Sequence, residues 1–366
     1  MDKDVRNSPP RRARAARHVT IKDLAAELEL SITTISRALN GYPDVGEKTR
    51  KRVEEAAQRL GYRPNRNAQR LVTRRTHNVA WVQSDNERKF VDPHFVAVMA
   101  GVLRGARKRS YDIVVSGETP ERELSVYDRY VHDNSVDGFI IDLPREDDPR
   151  ITYLLEMERP FVVHGREGRC ARYGWVDVDN YANFYNLTRL MLANGHRRLA
   201  LINGDERFTY ALYRRHGVMD ALADAGRSPE DVTVLNSLHP MGEAGFQLTA
   251  QALADPEITA ILYSSTLMAI EGRAAIALET GDRRLDIATM DDELHYIDLT
   301  PFADQFSLVR SSLSQAGETL VTELIGQCED GAGPRGHLIP SSFHILPGLD
   351  ASVLDEPLPM TRRRAQ

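Results

Sequence analysis

Residues 19–71 contain three short amphipathic segments in a fixed order, and no other stretch constrains the fold of the chain as strongly. Thr20 and Asp23, three residues apart, predict a capping box at the start of a first helix. Ser31 predicts the start of a second helix, and a third helix follows at about 47–60. Two short helices joined by a tight turn and closed by a third are typical of a helix-turn-helix.

The second helix, from Ser31 to Asn40, has two different faces when its residues are placed about 100° apart. One face carries the core side chains Ile35, Ala38 and Leu39. The opposite face spans an arc of roughly 140° and carries the long cationic side chain of Arg37 among mostly short side chains. This face is predicted to enter the major groove, where Arg37 can contact a guanine and Ile32 a thymine methyl group. The candidate DNA-contacting residues of this unit are Thr20, Ser31, Ile32, Thr33, Ser36, Arg37 and Asn40.

Two runs carry a resemblance to a known family: TIKDLAAELELSITTISRALNG (20–41) and VGEKTRKRVEEAAQRLGYRPNRNAQRL (45–71). They resemble the headpiece and hinge of the lactose-repressor (LacI/GalR) family. Glu29 departs from the family pattern, because the turn usually has glycine there. If this position requires a positive φ, glutamate costs about 1 kcal/mol relative to glycine.

The resemblance implies a hinge at residues 65–76 that folds only on DNA and pairs with a second hinge in the minor groove. Leu71 stands where family members insert a leucine between base pairs, and Ala68 where two hinges touch. Apolar side chains that wedge between base pairs kink DNA. Asn65 and Arg66 complete the candidate DNA-contacting residues. A plain linker is the alternative interpretation of this segment.

Charge is distributed unevenly along the chain. Residues 1–76 contain 18 Lys and Arg against 9 Asp and Glu, whereas the remainder contains 29 against 44. A basic end on an acidic body is typical of a protein that presents one end to nucleic acid. Residues 1–18 are basic and contain Pro-Pro, and we expect a disordered arm. Additional phosphate contact and a solvated tail are equally compatible with that arm.

After residue 77 the sequence changes to apolar runs separated by amphipathic segments of 10–18 residues. Alternating strands and helices with continuously apolar strands predict parallel sheets covered on both faces. The strand count is too large for one compact sheet, so we expect two doubly wound α/β lobes. The candidate strands are 78–83, 111–117, 136–143, 160–165, 175–180, 198–204, 232–237, 258–265, 286–292 and 306–312.

This half resembles the sensor domain of the same family, which is similar to periplasmic binding proteins. The landmarks include VDGFII (136–141), NGHRRLALING (194–204) and TMDD (289–292). The resemblance implies lobes that exchange strands, followed by a tail. The expected divisions are a helix-turn-helix at 19–64, a hinge at 65–76, a first lobe at 77–174 and 308–337, a second lobe at 178–304 and 338–352, and a tail at 353–366.

Ligands of open α/β sheets bind beyond the carboxyl ends of the strands. Arg, Asp, Ser and aromatic residues follow several candidate strands here, and this mixture suits a polyhydroxylated ligand. The resemblance assigns effector contacts to Arg214, Asp291, Ser265 and Phe95, and the strand ends add Arg166. A salt bridge between the lobes is the alternative role for Arg214 and Asp291. Some landmarks resemble repressors of disaccharide uptake genes, including the α-glucoside type.

No signature of catalysis occurs: GxSxG, a P-loop, HExxH and a GxGxxG after a strand are all missing. Cys170 and Cys328 do not have a metal-ligand spacing, so we expect free thiols and neither cofactor nor metal. No run of 18 apolar residues occurs, which predicts a cytoplasmic, nucleoid-associated protein rather than a membrane protein.

These observations predict a homodimeric repressor that binds palindromic double-stranded operator DNA under the control of a mono- or disaccharide. Residues 95–109 are the candidate dimer contact. An enzyme or a free solute receptor is the alternative use of the two-lobed body, but neither needs a helix-turn-helix. An activator has the same architecture and stays open.

Overall fold

The computed structural model describes residues 19–39, 41–62, 75–84, 91–168, 170–239, 244–279, 285–294 and 297–359. They belong to two compact units, one within residues 1–76 and one within residues 77–366. The predictions for the arm, for Asn40 and for the hinge residues Asn65, Arg66, Ala68 and Leu71 fall outside the described residues.

The first unit is a helix-turn-helix built from α1 (Ile21–Leu28), α2 (Ile32–Leu39) and α3 (Glu47–Leu60). Its core consists of the fully buried side chains of Leu24, Ile35 and Val53 with small alanines around them. Burying these side chains against one another is what fixes three helices that would be too short to persist alone. The predicted helix-turn-helix is therefore confirmed.

Hydrogen bonds fix the N-terminal ends of α1 and α2. The backbone N–H of Thr20 donates to the Asp23 carboxylate at 2.7 Å, and the backbone N–H of Thr34 donates to the Ser31 hydroxyl at 3.0 Å. Helix α1 ends at Glu29, whose backbone is left-handed at φ 53° and ψ 38°. The turn thus has the positive φ that glycine would adopt without strain, and glutamate costs about 1 kcal/mol there.

The second unit alternates strands and helices along the chain. Its first half contains β1 (Asn78–Ser84), α4 (Pro93–Lys108), β2 (Asp112–Glu118), α5 (Glu123–His132), β3 (Gly138–Asp142), α6 (Pro149–Glu156), β4 (Phe161–His164) and β5 (Gly174–Val178). Next come α7 (Asn180–Ala193), β6 (Leu199–Asn203), α8 (Thr209–Asp224), β7 (Val232–Asn236), α9 (Ala244–Leu253), β8 (Ala260–Tyr263), α10 (Thr266–Glu279) and β9 (Asp286–Asp291). The last elements are β10 (Ser307–Arg310), α11 (Leu313–Asp330), β11 (Gly336–Ile339) and β12 (Ser342–His344). Within the described ranges, no helix is long and apolar enough to cross a membrane.

Two six-stranded sheets form two lobes, as the strand count predicts. The first sheet has the order β11-β5-β4-β3-β1-β2 and is parallel throughout. The second has the order β12-β10-β9-β8-β6-β7 and is parallel except for β12, which runs antiparallel to β10. Helices cover both faces of each sheet, so that β3, β6 and β8 are buried along their whole length.

The chain passes between the lobes three times, near Asp179, Ser311 and Pro340. These positions correct the expected boundaries. Strand β10 pairs with β9 and so belongs to the second lobe, whereas residues from 308 were expected in the first. Strands β5 and β11 pair with each other in the first lobe, although the expected divisions at 174 and 338 cut through them. Hydrogen-bond partners distant in sequence decide the lobe of a strand, and local pattern does not contain them.

Helices α4 and α11 pack closely in the first lobe at two glycines. A Cβ added to Gly101 would lie 2.1 Å from the carbonyl oxygen of Ser314. One added to Gly317 would lie 2.1 Å from the carbonyl oxygen of Val98. The helix backbones therefore touch, which leaves α4 little freedom to move. The close packing fixes the N-terminus of α4, where His94 lies at the edge of the sheet that faces the other lobe.

Candidate functional site

Helix α2 presents the surface expected to read DNA. Ser31, Ile32 and Thr33 are exposed at its start, with 44% of Ile32 accessible to solvent. Ser36 and Arg37 are half-buried on the same side, while Ile35 faces the core. Of the predicted contacts, Thr20 and Ser31 also serve the fold, because they cap α1 and α2. The structure thus brings Ser31, Ile32, Thr33, Ser36 and Arg37 together on α2 and its cap, whereas Thr20 lies at the start of α1.

The Arg37 side chain is held by the loop that follows α2. Its Nη2 lies 2.6 Å from the Asp44 carboxylate, and its guanidinium carbon lies 4.7 Å from the centre of the Tyr42 ring. Hydrogen bonding from Arg37 lowers the pKa of Asp44 below its usual range. Sequence analysis did not single out Tyr42 or Asp44, although both lie within seven residues of Arg37.

A cavity of about 270 Å³ lies between the two lobes of the second unit. Its walls come from the carboxyl ends of strands in both sheets, where open α/β sheets bind ligands. The first lobe contributes Asp92, His94, Asp142, Leu143, Pro144, Arg145, Arg150, His164, Gly165, Asp177 and Val178. The second contributes Asn180, Asp205, Phe208, Thr209, Tyr210, Arg214, Leu238, His239, Ser264, Ser265 and Asp292, and Leu313 completes the lining.

Arg214, on α8, is a buried cation that lines this cleft. Its Nε donates to the Asn180 side-chain carbonyl at 2.8 Å, and its Nη1 donates to the Ser264 backbone carbonyl at 2.6 Å. The guanidinium also lies 5.2 Å and 5.1 Å from the ring centres of Phe184 and Tyr210. Burial lowers the pKa of Arg214, and it forms no ion pair with a carboxylate among the described residues. It therefore retains donors that can face a ligand.

Arg166 takes part in the site from behind the cavity wall. Its Nε donates to Asp177 at 3.1 Å, and its guanidinium lies 5.1 Å from the Trp175 ring. Asp177 in turn accepts from the Asn180 amide at 3.1 Å, and Asn180 accepts from Arg214. Burial raises the pKa of Asp177 to about 6 despite the charge of Arg166. A hydrogen-bonded chain thus runs from one lobe to the other where β5 leads into α7.

His94 crosses the cleft. Its Nδ1 lies 2.9 Å from Asp92 in its own lobe, and its Nε2 lies 3.4 Å from Asp292 and 3.3 Å from Ser265 in the other lobe. Burial alone would lower the pKa of His94, but hydrogen bonds to Asp292 and Asp92 raise it to about 9. Ser265 stands in the cavity wall, as the sequence predicts, and its hydroxyl also caps α10 by accepting from Leu267 at 3.2 Å.

Besides Arg166, two further predicted effector contacts, Asp291 and Phe95, lie outside the cavity lining. Asp291 points to Arg310, whose Nε donates to its carboxylate at 2.6 Å, and the cleft receives the next residue, Asp292, instead. Phe95 is 8% exposed and packs in the core 5.1 Å from the Trp81 ring. Adjacent residues at a strand end point to opposite sides, and consecutive residues of a helix point about 100° apart, which explains both displacements.

Direct contacts between the lobes surround the cavity. The backbone N–H of Thr209 donates to the Pro144 carbonyl at 3.0 Å, and the Tyr213 hydroxyl donates to Glu146 at 3.1 Å. The guanidinium of Arg145 lies 5.7 Å from the centre of the Phe208 ring. Together with His94 these contacts hold the lobes in a closed arrangement.

The loop that follows β3 owes its shape to a buried arginine. Arg150 Nη2 donates to the backbone carbonyls of Asp142 and Leu143 at 3.1 and 3.2 Å, and its charge is balanced by Asp148 at 2.7 Å and Glu123 at 3.2 Å. Leu143 has a left-handed backbone with φ 47°. This network fixes a wall of the cleft that would otherwise relax away from a strained backbone.

Sequence reasoning missed Asp292, Asn180 and the role of His94. The sequence does contain a signal for His94. Phe95, Val98 and Val102 recur at helical spacing and form an apolar face that packs in the core. His94, the residue before Phe95, therefore lies on a different side of the helix. No local signal distinguishes Asp292 from Asp291, and Asn180 is recognisable only through its contact with Arg214.

Comparison with known proteins gives matches to both units. Residues 20–65 match a family described as bacterial regulatory proteins, lacI family. Residues 76–300 match one described as periplasmic binding proteins and sugar binding domain of LacI family. The HTH-type transcriptional regulator AglR of Rhizobium meliloti (strain 1021) is 38% identical over 315 residues, which cover 84% of this chain and 87% of AglR.

Two solved structures show the same fold. The lac repressor dimer bound to operator and the anti-inducer ONPF has a TM-score of 0.73 at 22% identity, covering 90% of this chain and 98% of that one. The transcriptional regulator CelR–cellobiose complex has a TM-score of 0.63 at 23% identity, covering 90% of this chain and 99% of that one.

Proposed function

The chain belongs to the lacI family of bacterial regulatory proteins and is an HTH-type transcriptional regulator, and we propose that it is a repressor controlled by a small sugar bound between its lobes. It acts in the cytoplasm as a homodimer on palindromic operator DNA, and it is not an enzyme. The observation that carries this proposal is Arg214, a buried cation that faces the cleft without a carboxylate partner among the described residues.

The chemistry of the cleft suits sugar hydroxyls. Guanidinium and carboxylate groups bind neighbouring hydroxyls with two hydrogen bonds each, and Arg214 and Asp292 supply one group of each kind. The rings of Phe208 and Tyr210 line the same cavity and can cover the apolar face of a sugar ring. The volume of about 270 Å³ lies just below the ~300–1,000 Å³ usual for ligand pockets, so the closed cleft suits a mono- or disaccharide.

The DNA-reading part of the proposal rests on α2. Its exposed Ile32, Thr33 and half-buried Arg37 are available to base edges, while basic residues of α3 can contact phosphates. The hinge contacts of Asn65, Arg66, Ala68 and Leu71 remain proposals from sequence. The related lac repressor was solved as a dimer on its operator, which supports the same arrangement here.

Dimerisation through the first lobe is supported by helix α4. Val96 and Leu103 lie on this helix with 51% and 52% of their surface exposed. Exposed apolar side chains grouped on one helix mark a surface that a partner covers. A second copy of the chain, contacting the same surface about a two-fold axis, is the partner we propose.

Control of DNA binding follows from linkage. A sugar shifts the balance between two arrangements of the lobes only by its difference in affinity for them. If the sugar favours the arrangement in which the paired hinges are separated, operator DNA and sugar weaken each other by the same factor. The resemblance favours repression of disaccharide uptake genes, with an α-glucoside as one candidate effector.

The test begins with a thermal-shift screen of mono- and disaccharides on the full chain. The sugar that stabilises it is then titrated by calorimetry into the wild type and Arg214→Ala, and added to gel shifts with DNA selected from a randomised duplex library. We expect the variant to lose sugar binding yet keep DNA binding that no longer responds to sugar. Wild-type sugar affinity in Arg214→Ala would place the ligand elsewhere.

A further inference from the structure

The loop that follows α2 contacts Arg37, the arginine proposed to read a base, through Tyr42 and Asp44. The Nη2 of Arg37 lies 2.6 Å from Asp44 Oδ2, and the guanidinium lies 4.7 Å from the centre of the Tyr42 ring. The two partners act differently, because the carboxylate fixes one edge of the planar cation and the ring supports its face. Together they restrict a side chain that otherwise has many rotamers.

The loop itself is anchored at three points. The backbone N–H of Tyr42 donates to the Arg37 carbonyl at 3.1 Å, and Arg50 of α3 donates to the Tyr42 carbonyl at 3.0 Å. Val45, next to Asp44, is buried in the core of the helix-turn-helix. The positions of Tyr42 and Asp44 are therefore set by backbone hydrogen bonds and the core of the folded unit, and not by the Arg37 side chain that they contact.

We propose that Asp44 is a positioning residue that sets the base selectivity of Arg37, with Tyr42 supporting the same orientation. This inference rests on the proposed function of α2 as the base-reading helix.

Geometry gives the first reason. A guanidinium has five N–H donors in a fixed plane, and Asp44 lies 2.6 Å from the Nη2 amino group. The Nε of Arg37 is buried, so the two terminal amino groups are the donors that can contact O6 and N7 of guanine with two hydrogen bonds. An arginine side chain that is already held in place loses less conformational freedom when it binds a base. A guanidinium in the wrong orientation cannot form both hydrogen bonds.

Charge gives the second reason. A free arginine binds any phosphate, and phosphate contacts contain no sequence information. The Asp44 carboxylate neutralises Arg37 and repels nearby phosphates, so it lowers affinity for DNA of any sequence. The base contact is affected less, because guanine presents neutral acceptors. Asp44 thus lowers the affinity for DNA of any sequence and raises the selectivity for the base that Arg37 contacts.

The test compares Asp44→Asn with the wild type on duplexes selected from a randomised library by the wild-type protein. Each base pair of the selected site is substituted in turn, and binding is measured at several salt concentrations. In Asp44→Asn we expect about a tenfold loss of preference at the base pair that Arg37→Ala identifies, part of what one bidentate contact supplies. Binding to random-sequence DNA should rise about threefold and become more salt-dependent.

Glu54→Gln is the matched control, since Glu54 is an exposed carboxylate of α3 that does not pair with Arg37. It removes the same charge and should leave base preference unchanged. Tyr42→Leu removes the supporting ring and should weaken the same preference as Asp44→Asn. In the Arg37→Ala background, Asp44→Asn should change base preference no further, which a double-mutant cycle measures.

The outcomes separate two failures. If Arg37→Ala relaxes preference at one base pair while Asp44→Asn and Tyr42→Leu do not, the positioning role is overturned and base reading by α2 stands. If Arg37→Ala weakens binding equally on all duplexes, the base-reading function itself fails. Loss of preference in Glu54→Gln would also overturn the inference, because charge alone would then explain the effect.

Discussion

The imidazole of His94 and the carboxylate of Asp292 meet across the cleft, with Nε2 and Oδ2 3.4 Å apart. The two residues belong to opposite lobes, and the His94 side chain is only one-fifth exposed. Asp92 binds the other ring nitrogen at 2.9 Å, so a protonated His94 is flanked by two carboxylates. Closure of the lobes is thereby coupled to a proton.

The sign of the pH dependence follows from the pKa of His94. Burial opposes the charge, but the hydrogen bonds to Asp292 and Asp92 outweigh it and raise the pKa to about 9, against about 6.5 in an unfolded chain. The stabilising contribution is complete below pH ~6.5 and is lost as the pH rises through about 9. At most it amounts to about 3 kcal/mol.

We therefore expect the unfolding temperature of the wild type to fall between pH 6.5 and pH 9 more steeply than that of His94→Gln, measured by scanning calorimetry. Glutamine retains a polar side chain without the titration. Nearby, burial raises the pKa of Tyr210 to about 12, so this phenol does not titrate in this window. Parallel curves for the two proteins would contradict the role of His94.

The close approach of α4 and α11 makes a second prediction. Gly101→Ala would place a Cβ 2.1 Å from a backbone carbonyl that cannot rotate away, and overpacking of this kind costs about 1–3 kcal/mol. Gly326→Ala, on the same α11, is the control, because no atom lies within 4 Å of its added Cβ. Alanine there should stabilise the helix by about 0.5–1 kcal/mol. Equal losses of thermal stability in both variants would mean that the helices are not in contact at Gly101.

Much of the fold could be predicted because its signals are local. The ten candidate strands are all present, since each contains apolar residues that mark it, and central strands such as β3 are buried on both faces. Strands β11 and β12 were not among them. They are short edge strands whose residues are mostly half-exposed or exposed, so no apolar run marks them.

The candidate site could be predicted only in part. Arg214 and Ser265 line the cavity as expected, because the pattern around them fixes their position in α8 and after β8. Which of two consecutive aspartates enters the cleft depends on the last hydrogen bond of β9 to β10, where Asp291 pairs with Arg310. That information lies in the pairing of strands and not in the residue types.

Base reading by Arg37 makes a third prediction. Arg37→Ala should cost about 1–3 kcal/mol of operator binding and relax preference at one symmetric base pair. Arg59→Ala is a matched control: Arg59 is also paired with a carboxylate, Glu27 at 2.8 Å, but it lies on α3 away from the proposed reading face. Quantitative gel shifts on the base-pair variants measure both. Uniform losses in Arg37→Ala would assign it to phosphates instead.

The hinge prediction rests on sequence, because Leu71 lies outside the described residues. Leu71→Ala should reduce operator bending and affinity while leaving the sensor lobes folded and able to bind sugar. Leu71→Met keeps an apolar wedge and should retain most of the bending. A circular-permutation gel assay reports the bend angle of the operator. An unchanged angle with Leu71→Ala would contradict the proposal that Leu71 inserts between base pairs.

The two aspartates at the end of β9 allow the sharpest test of the cleft. Asp292→Asn removes the charge that accepts sugar hydroxyls and should weaken sugar binding about 10- to 100-fold, as expected for hydrogen bonds to a charged group. Asp291→Asn removes the partner of Arg310 and should lower thermal stability while leaving sugar affinity within about threefold. The variants differ by one position and have the same change in charge.

Calorimetric titration of both variants with the sugar found in the thermal-shift screen decides between these carboxylates. Operator binding without sugar is measured alongside, and we expect Asp292→Asn to stay on DNA when sugar is added. If instead Asp291→Asn loses sugar affinity and Asp292→Asn retains it, the assignment from sequence stands and the cleft contact of Asp292 is structural. If Asp292→Asn loses operator binding in the absence of sugar, the ligand plays no part in the defect. The Asp292 carboxylate is then needed for lobe closure through His94.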